Sequence, residues 1–275
     1  VKTSPIIVAL DVETAEAARK LVAQLGDSVN FYKVGLELYA SAGMEFVREL
    51  KQNGHRVFLD LKFYDIGETV RRATFQVARA GVDFLTIHAM RQAMQAAVAG
   101  RGDSTLKLLG VSVLTSVDDH DLAQDGYSSG ARDLVELRVR NAMEDRMNGI
   151  VCSPVEVARV RSIAGPTAIL VTPGVRSAGA SVGDQKRVAT PAQAILDGAD
   201  YLVIGRQITR ASDPRGEAER ILEEVVQVPD LPISNSAPKN PESADSSAAA
   251  ASRRPHGSSA DKSPAQTASR PLPAR

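Results

Sequence analysis

Asp60 and Lys62 stand two positions apart in the run Val57-Phe-Leu-Asp-Leu-Lys-Phe-Tyr-Asp65, and Asp65 follows three positions later. The apolar residues around them read as a buried strand, in which a period of two puts the carboxylate and the ammonium on one face. Taking a charge out of water costs several kcal/mol unless a partner compensates it. Such a strand carries either a structural ion pair or a reaction centre, and the segment alone leaves both open.

The elements that hold these residues show in the rhythm of the first 228 residues. Short β-branched runs recur at Ile6 to Asp11, Phe31 to Gly35, Val57 to Lys62, Phe84 to His88, Leu108 to Leu114, Ile150 to Cys152, Ala168 to Thr172 and Tyr201 to Gly205. Amphipathic stretches lie between them at Thr14 to Leu25, Ala42 to Gln52, Val70 to Ala80, Ala131 to Met147, Pro154 to Ile163 and Thr190 to Leu196, and Pro214 opens a last one. Alternation of this kind calls for a parallel sheet covered by helices. Eight units in this length fit an α/β fold of the closed (β/α)8 type, the TIM barrel. The competitor is an open doubly wound sheet, but Asp11-Val-Glu-Thr follows the first strand where a glycine-rich phosphate turn would stand.

In a barrel the chemistry sits at the C-terminal ends of the strands. Those ends carry Asp11, Lys33, Asp60, Lys62, the pair Thr115-Ser116, the run Thr172-Pro173-Gly174-Val175-Arg176, and Gly205-Arg206. Each alone reads as an ordinary polar residue where a strand meets solvent; together they converge on one mouth. Gly205 gives close access to a backbone N–H, and the Arg206 guanidinium suits bidentate phosphate contact. The segment from Gly174 to Thr190, with Arg176 and Gln185, reads as a surface loop or as one that folds over that phosphate. His88 ends the fourth strand without an evident partner and reads as structural or supporting.

Composition narrows the function classes. Net charge is +0, which gives no sign of nucleic acid or an anionic membrane as partner, and no apolar stretch approaches the ~20 residues of a membrane span. No secretory leader pattern shows, so a cytoplasmic protein is expected. The single Cys152 has no disulfide partner, sits in an apolar run and reads as core packing, and there is no zinc-type ligand cluster. From Pro229 onward the chain holds 8 of its 14 prolines and no aromatic residue. Residues 1–228 are therefore expected to form the catalytic domain and 229–275 a low-complexity disordered tail, whose Arg253-Arg254 pair reads as solvated charge or as part of an interaction arm.

The strings FLDLKFYDIGETV, ALD at Asp11, YKVGLE at Lys33, VLTS at Ser116, VTPGVR at Arg176, DQKRVATP at Gln185 and VIGRQIT at Arg206 resemble, in order, the orotidine 5'-phosphate decarboxylases of bacterial type. The resemblance implies a homodimeric (β/α)8 barrel that converts orotidine 5'-monophosphate to UMP and CO2, the last step of pyrimidine synthesis, without metal or organic cofactor. Carried over by position, Lys62 protonates C6, Asp60 lies beside the substrate carboxylate, and Lys33 completes the charged array. Asp65 and Thr69 would reach in from the neighbouring subunit. Substrate contacts are implied at Asp11, Lys33, Ile66, Thr69, Thr115, Ser116 and Pro173, with Arg176, Gln185, Gly205 and Arg206 toward phosphate.

Two departures stand out. Gly67-Glu68 replaces the usual proline after Asp65-Ile66, and Met90-Arg91-Gln92 replaces a frequent Gly-Gly pair after the fourth strand. The alternatives are a magnesium-dependent sugar-phosphate decarboxylase or synthase on the same scaffold, a Schiff-base aldolase using Lys62, and a nucleotide-binding barrel without catalysis. Related magnesium enzymes resemble this pattern with a Glu in place of Lys33, and a cation there would repel the metal.

Overall fold

Eight parallel strands close on themselves in sequence order, β1 pairing with both β2 and β8. The computed structural model describes residues 4–177 and 189–227 of the chain. The strands are β1 (Ile6–Ala9), β2 (Phe31–Gly35), β3 (Arg56–Phe63), β4 (Phe84–His88), β5 (Lys107–Val111), β6 (Gly149–Val151), β7 (Ile169–Pro173) and β8 (Tyr201–Ile204). The α/β barrel expected from the alternation is thus the fold.

Helices α1 (Ala15–Leu25), α2 (Leu36–Gln52), α3 (Gly67–Arg79), α4 (Arg91–Arg101), α5 (Asp119–Gln124), α6 (Ala131–Glu144), α7 (Val157–Ala164), α8 (Pro191–Leu196), α9 (Arg206–Thr209) and α10 (Pro214–Val226) follow. Thr14, Thr190 and Asp213 cap α1, α8 and α10 by accepting backbone N–H groups that the first turns leave unpaired. Among the described residues no helix is long and apolar enough to cross a membrane.

Three differences from the sequence reading have local causes. α2 starts at Leu36, not Ala42, because Gly43 at φ 61° and ψ −164° breaks the helical path and hides the first half of the pattern. β5 ends at Val111, so Thr115 and Ser116 lie in a turn beyond it. α4 and α5 are not announced by the pattern. α4 buries only small or flexible residues, Ala93, Met94, Ala97 and Gly100. A Cβ on Gly100 would fall 2.1 Å from the Arg71 carbonyl oxygen, so only glycine lets α4 lie this close to α3.

Alternate residues of the strands face inward and pack as layers. Ile7, Phe31, Phe58, Phe84, Leu109, Val171 and Val203 form the barrel's own core, apart from the larger shell between sheet and helices. At the N-terminal end, the Phe31, Phe84 and Tyr201 rings meet edge to face at 5.1–5.7 Å, with the Arg56 guanidinium 4.0 Å from the Phe31 centroid.

That end also holds a recurring staple. Asp83, just before β4, accepts the Val57 N–H at 2.8 Å and the Lys51 ammonium at 2.6 Å. Asn148, before β6, accepts the Leu108 N–H at 2.9 Å and Arg101 at 2.7 Å. Asp200, before β8, accepts the Leu170 N–H and Arg161, both at 2.7 Å. Each ties the amide of the second residue of an odd strand to its even neighbour and to a helix cation.

Candidate active site

At the opposite end the inner layers turn polar. β2 directs Lys33 inward above Phe31, β3 directs Asp60 above Phe58, and β4 directs Thr86 above Phe84. Lys33 is buried; its Nζ lies 2.8 Å from Asp11 Oδ1 and 3.8 Å from Asp60 Oδ2. Lys62 Nζ lies 2.9 Å from Asp60 Oδ1. The four side chains alternate in sign, Asp11, Lys33, Asp60, Lys62, across three adjacent strands.

Asp60 is the hinge of this array, with a side chain only 16% exposed. Burial pushes its carboxyl up, but Lys33 and Lys62, with hydrogen bonds from Lys62 and Thr86, outweigh burial and hold it below the usual carboxylate range. It is therefore an anion at neutral pH, with each oxygen turned toward a different ammonium.

The geometry is not that of a regular strand. Leu59 pairs with Leu85 and Phe63 with Ile87, so four steps along β3 match two along β4. Lys62, within this irregularity, has φ 49°, a left-handed backbone that is unusual for a lysine. Asp60 and Lys62 meet as expected, but across a bulge, not along one face of a flat strand. Gly35 makes room for the array: a Cβ there would sit 2.8 Å from Lys33 Nζ and 3.2 Å from Asp11 Oδ1.

A second group lies across the mouth. Gly205, between β8 and α9, lies beside Asp11, whose Oδ2 would be 3.8 Å from a Cβ built on that glycine. Arg206 opens α9, and Arg176 is half-buried beyond Pro173. Burial, and then the Arg206 charge, lower the Arg176 pKa, so two guanidiniums bear on the same space. Arg176 is fixed by its N–H to the Ala189 carbonyl at 3.0 Å and by Nη1 to the Val175 carbonyl at 2.7 Å. Gln185 lies outside the described residues.

Asp65, Ile66 and Thr69 are not drawn into their own chain's array. All three are exposed, and the Asp65 carboxylate accepts the Ile66 N–H at 2.6 Å. Ile66 is 75% exposed, with Tyr64 and Leu36 nearly as open. Thr115 is half-buried and Ser116 exposed. His88 is half-buried on the inner face of β4, its ring edge to face with Tyr64 at 6.0 Å. Burial, Arg138 and Lys62 lower its pKa against the pull of Asp60. Cys152 is buried and its thiol is pushed up to about 12, an inert core residue as expected. Among the described residues, no group of three or more His, Cys, Asp or Glu side chains is placed to hold a metal ion.

Thr86 and Gly35 are the contributors that motif reasoning passes over. A threonine inside Phe-Leu-Thr-Ile-His, at the same parity as His88, and a glycine two places after Lys33 were the available signals.

The model of the orotidine 5'-phosphate decarboxylase / HUMPS family matches residues 4–221. The chain belongs to this family. It is 53% identical over 221 residues to the orotidine 5'-phosphate decarboxylase of Rhodopseudomonas palustris strain BisA53, covering 80% of this chain and 94% of that one. With the enzyme of that name from Caulobacter vibrioides strain NA1000 / CB15N it shares 51% over 227 residues, covering 81% and 97%. The crystal structure of orotidine 5'-phosphate decarboxylase from Lactobacillus acidophilus superposes with a TM-score of 0.72 at 36% identity, over 81% of this chain and 99% of that one. The family match spans every strand of the barrel and stops short of the proline-rich segment.

Proposed function

We propose that this chain decarboxylates orotidine 5'-monophosphate to UMP and CO2, with Lys62 as the proton donor. The observation that carries the reading is the Asp11–Lys33–Asp60–Lys62 array at the mouth of a barrel of this family. When the C6–carboxylate bond breaks, its electron pair stays on C6 as an sp2 carbanion with no adjacent carbonyl to delocalise it. Stabilisation must come from fixed charge and a proton close at hand. The Lys62 ammonium supplies both, and its proton becomes the C6 hydrogen of UMP.

Arg176 and Arg206 suit the phosphate, a dianion that relieves the repulsion between two guanidiniums, with Gly205 leaving the backbone open; Gln185 is proposed for the same group. Asp11 and Lys33 are proposed for the ribose, and Thr115, Ser116 and Pro173 for the base side of the pocket. The Lys33 ammonium, 2.8 Å from one carboxylate and 3.8 Å from another, fills the place a magnesium ion would need. That favours the decarboxylase over the magnesium-dependent reading of the same scaffold.

Asp65, Ile66 and Thr69 are proposed to act in the partner subunit of a homodimer. Their exposure, next in sequence to the exposed Tyr64, supports this, as does the absence of an Asp65–Lys62 pair in their own chain. A cytoplasmic setting fits a step of pyrimidine synthesis.

The test is loss of the orotate absorbance on incubation with orotidine 5'-monophosphate and a chelator. Turnover should persist, and Lys62→Ala should retain below about 1% of it while folded, a loss above ~3 kcal/mol. Activity that dies with chelator, or survives in Lys62→Ala, would overturn the reading. Mixing inactive Lys62→Ala with inactive Asp65→Ala should restore up to about a quarter of wild-type activity through hybrid dimers with one intact site.

A further inference from the structure

Within the β3 irregularity, Asp60 to Lys62 lie between the paired positions Leu59 and Phe63 and leave the regular ladder with β4. An N–H taken out of a ladder inside a protein needs another acceptor. For Lys62 that acceptor is a side chain: its N–H bonds the Thr86 Oγ1 at 2.8 Å. The same hydroxyl donates to Asp60 Oδ1 at 2.9 Å, and this oxygen also receives the Lys62 ammonium at 2.9 Å.

The three contacts close a ring. It runs from the Lys62 backbone through Thr86 and Asp60 to the far end of the Lys62 side chain. A hydroxyl has one proton to give and two lone pairs to accept with, so Thr86 fits both partners at once. Thr86 is fully buried, which removes water as a substitute for either bond.

We propose that Thr86 is a positioning residue for the reaction, its hydroxyl holding Lys62 in the left-handed bulge and turning Asp60 so that the ammonium meets the reacting carbon. This rests on the reading of Lys62 as proton donor. A left-handed lysine is strained and persists only where its surroundings over-determine it. Thr86 is the group on the neighbouring strand that does so. The remaining groups that face Asp60 are Lys33 from β2, Lys62 from β3 and His88 from β4, with Asp11 acting through Lys33.

The test compares Thr86→Val, which keeps the shape and loses the hydroxyl, with Thr86→Ser, which keeps the hydroxyl, both in the full-length chain. Thr86→Val should lower kcat about tenfold to a hundredfold, as expected for losing hydrogen bonds to a buried ionised pair. KM for orotidine 5'-monophosphate should stay within about threefold, because the phosphate contacts are untouched. The acid limb of the kcat–pH profile should move to higher pH, since ionised Asp60 has lost a donor. Thr86→Ser should recover most of kcat and the original acid limb.

Wild-type kcat and an unmoved acid limb in Thr86→Val would overturn the inference, and so would a Thr86→Ser as slow as Thr86→Val, which would assign the effect to packing. Should Thr86→Val not fold, Thr86→Ala against Thr86→Ser carries the same contrast. If the wild-type protein itself releases no CO2, the decarboxylase reading fails. Titration of the Asp60 carboxyl by carbon-13 NMR then still decides: a midpoint raised in Thr86→Val sustains the orienting role of the hydroxyl, and an unchanged one removes it.

Discussion

Lys33 owes its place to a neighbour without a side chain. Gly35 lies two positions on, facing the same way, where a methyl group would stand 2.8 Å from the ammonium. A flexible lysine can retreat from such a contact at little cost to the fold. Gly35→Ala should therefore unfold near the wild-type temperature yet lose about a hundredfold in kcat, the scale of effect that a displacement of about 1 Å has on a charged centre. Steady-state kinetics beside thermal melts check this, and a kcat within a few-fold of wild type would remove Gly35 from the site. Acid acts on the protein through three groups, Asp60 and His88 in this cluster and His55 before β3. Asp60 ionises below its ordinary value of 3.8, so the stability it lends is complete at neutral pH and is lost only as pH falls through its folded value. His88 and His55 are held neutral by burial, each below the ordinary 6.5. Just below pH 6.5 the unfolded chain takes up protons that the folded chain refuses, so stability falls as pH drops through that window. The melting temperature should decline between pH 7 and pH 5, and His88→Gln should flatten that decline without abolishing it, because His55 remains.

Strands, more than helices, were readable from the amino-acid order. All eight follow from β-branched runs at regular spacing, because an all-parallel sheet buried on both faces needs continuous apolar segments. α4 was not readable, because its packing face is alanine and glycine and its contact with α3 is made by backbone proximity. The charges at the mouth were legible from residue type and order. The bulge that brings Asp60 to Lys62 was not, since a change of register leaves no mark in a short string. Nor do the N-terminal staples, in which Asp83, Asn148 and Asp200 serve partners 26 to 40 residues away. The last of these centres on Arg161, which also donates to the Gly165, Ala168 and Gly198 carbonyls at 2.7–3.2 Å. Arg161→Leu leaves those carbonyls without their guanidinium donor and the Asp200 carboxylate with the Leu170 N–H but no cation. It should cost about 2–3 kcal/mol, seen as a lower denaturation midpoint at unchanged slope, with kcat intact because the staple is at the end of the barrel away from the Asp60 array. A loss of kcat at full stability would contradict this separation.

At the level of the molecule, the family match ends at residue 221 and α10, the last helix among the described residues, at Val226, just before the change in composition at Pro229. A chain ending at Val228 is expected to keep both turnover and melting temperature; loss of either would give the proline-rich segment a part in the barrel.

The staples group the strands as β3 with β4, β5 with β6 and β7 with β8, each pair bound to the helix that precedes it. Among the described residues the joints between these pairs have no such tie. New termini opened after β4 or after β6, with the old ends linked, would leave every pair whole, whereas a cut between β3 and β4 would part a carboxylate from the amide it holds. Six of the eight strands are in this sense grouped as two-strand modules, and a circularly permuted version that begins at a joint has the same bonds to form in a different order.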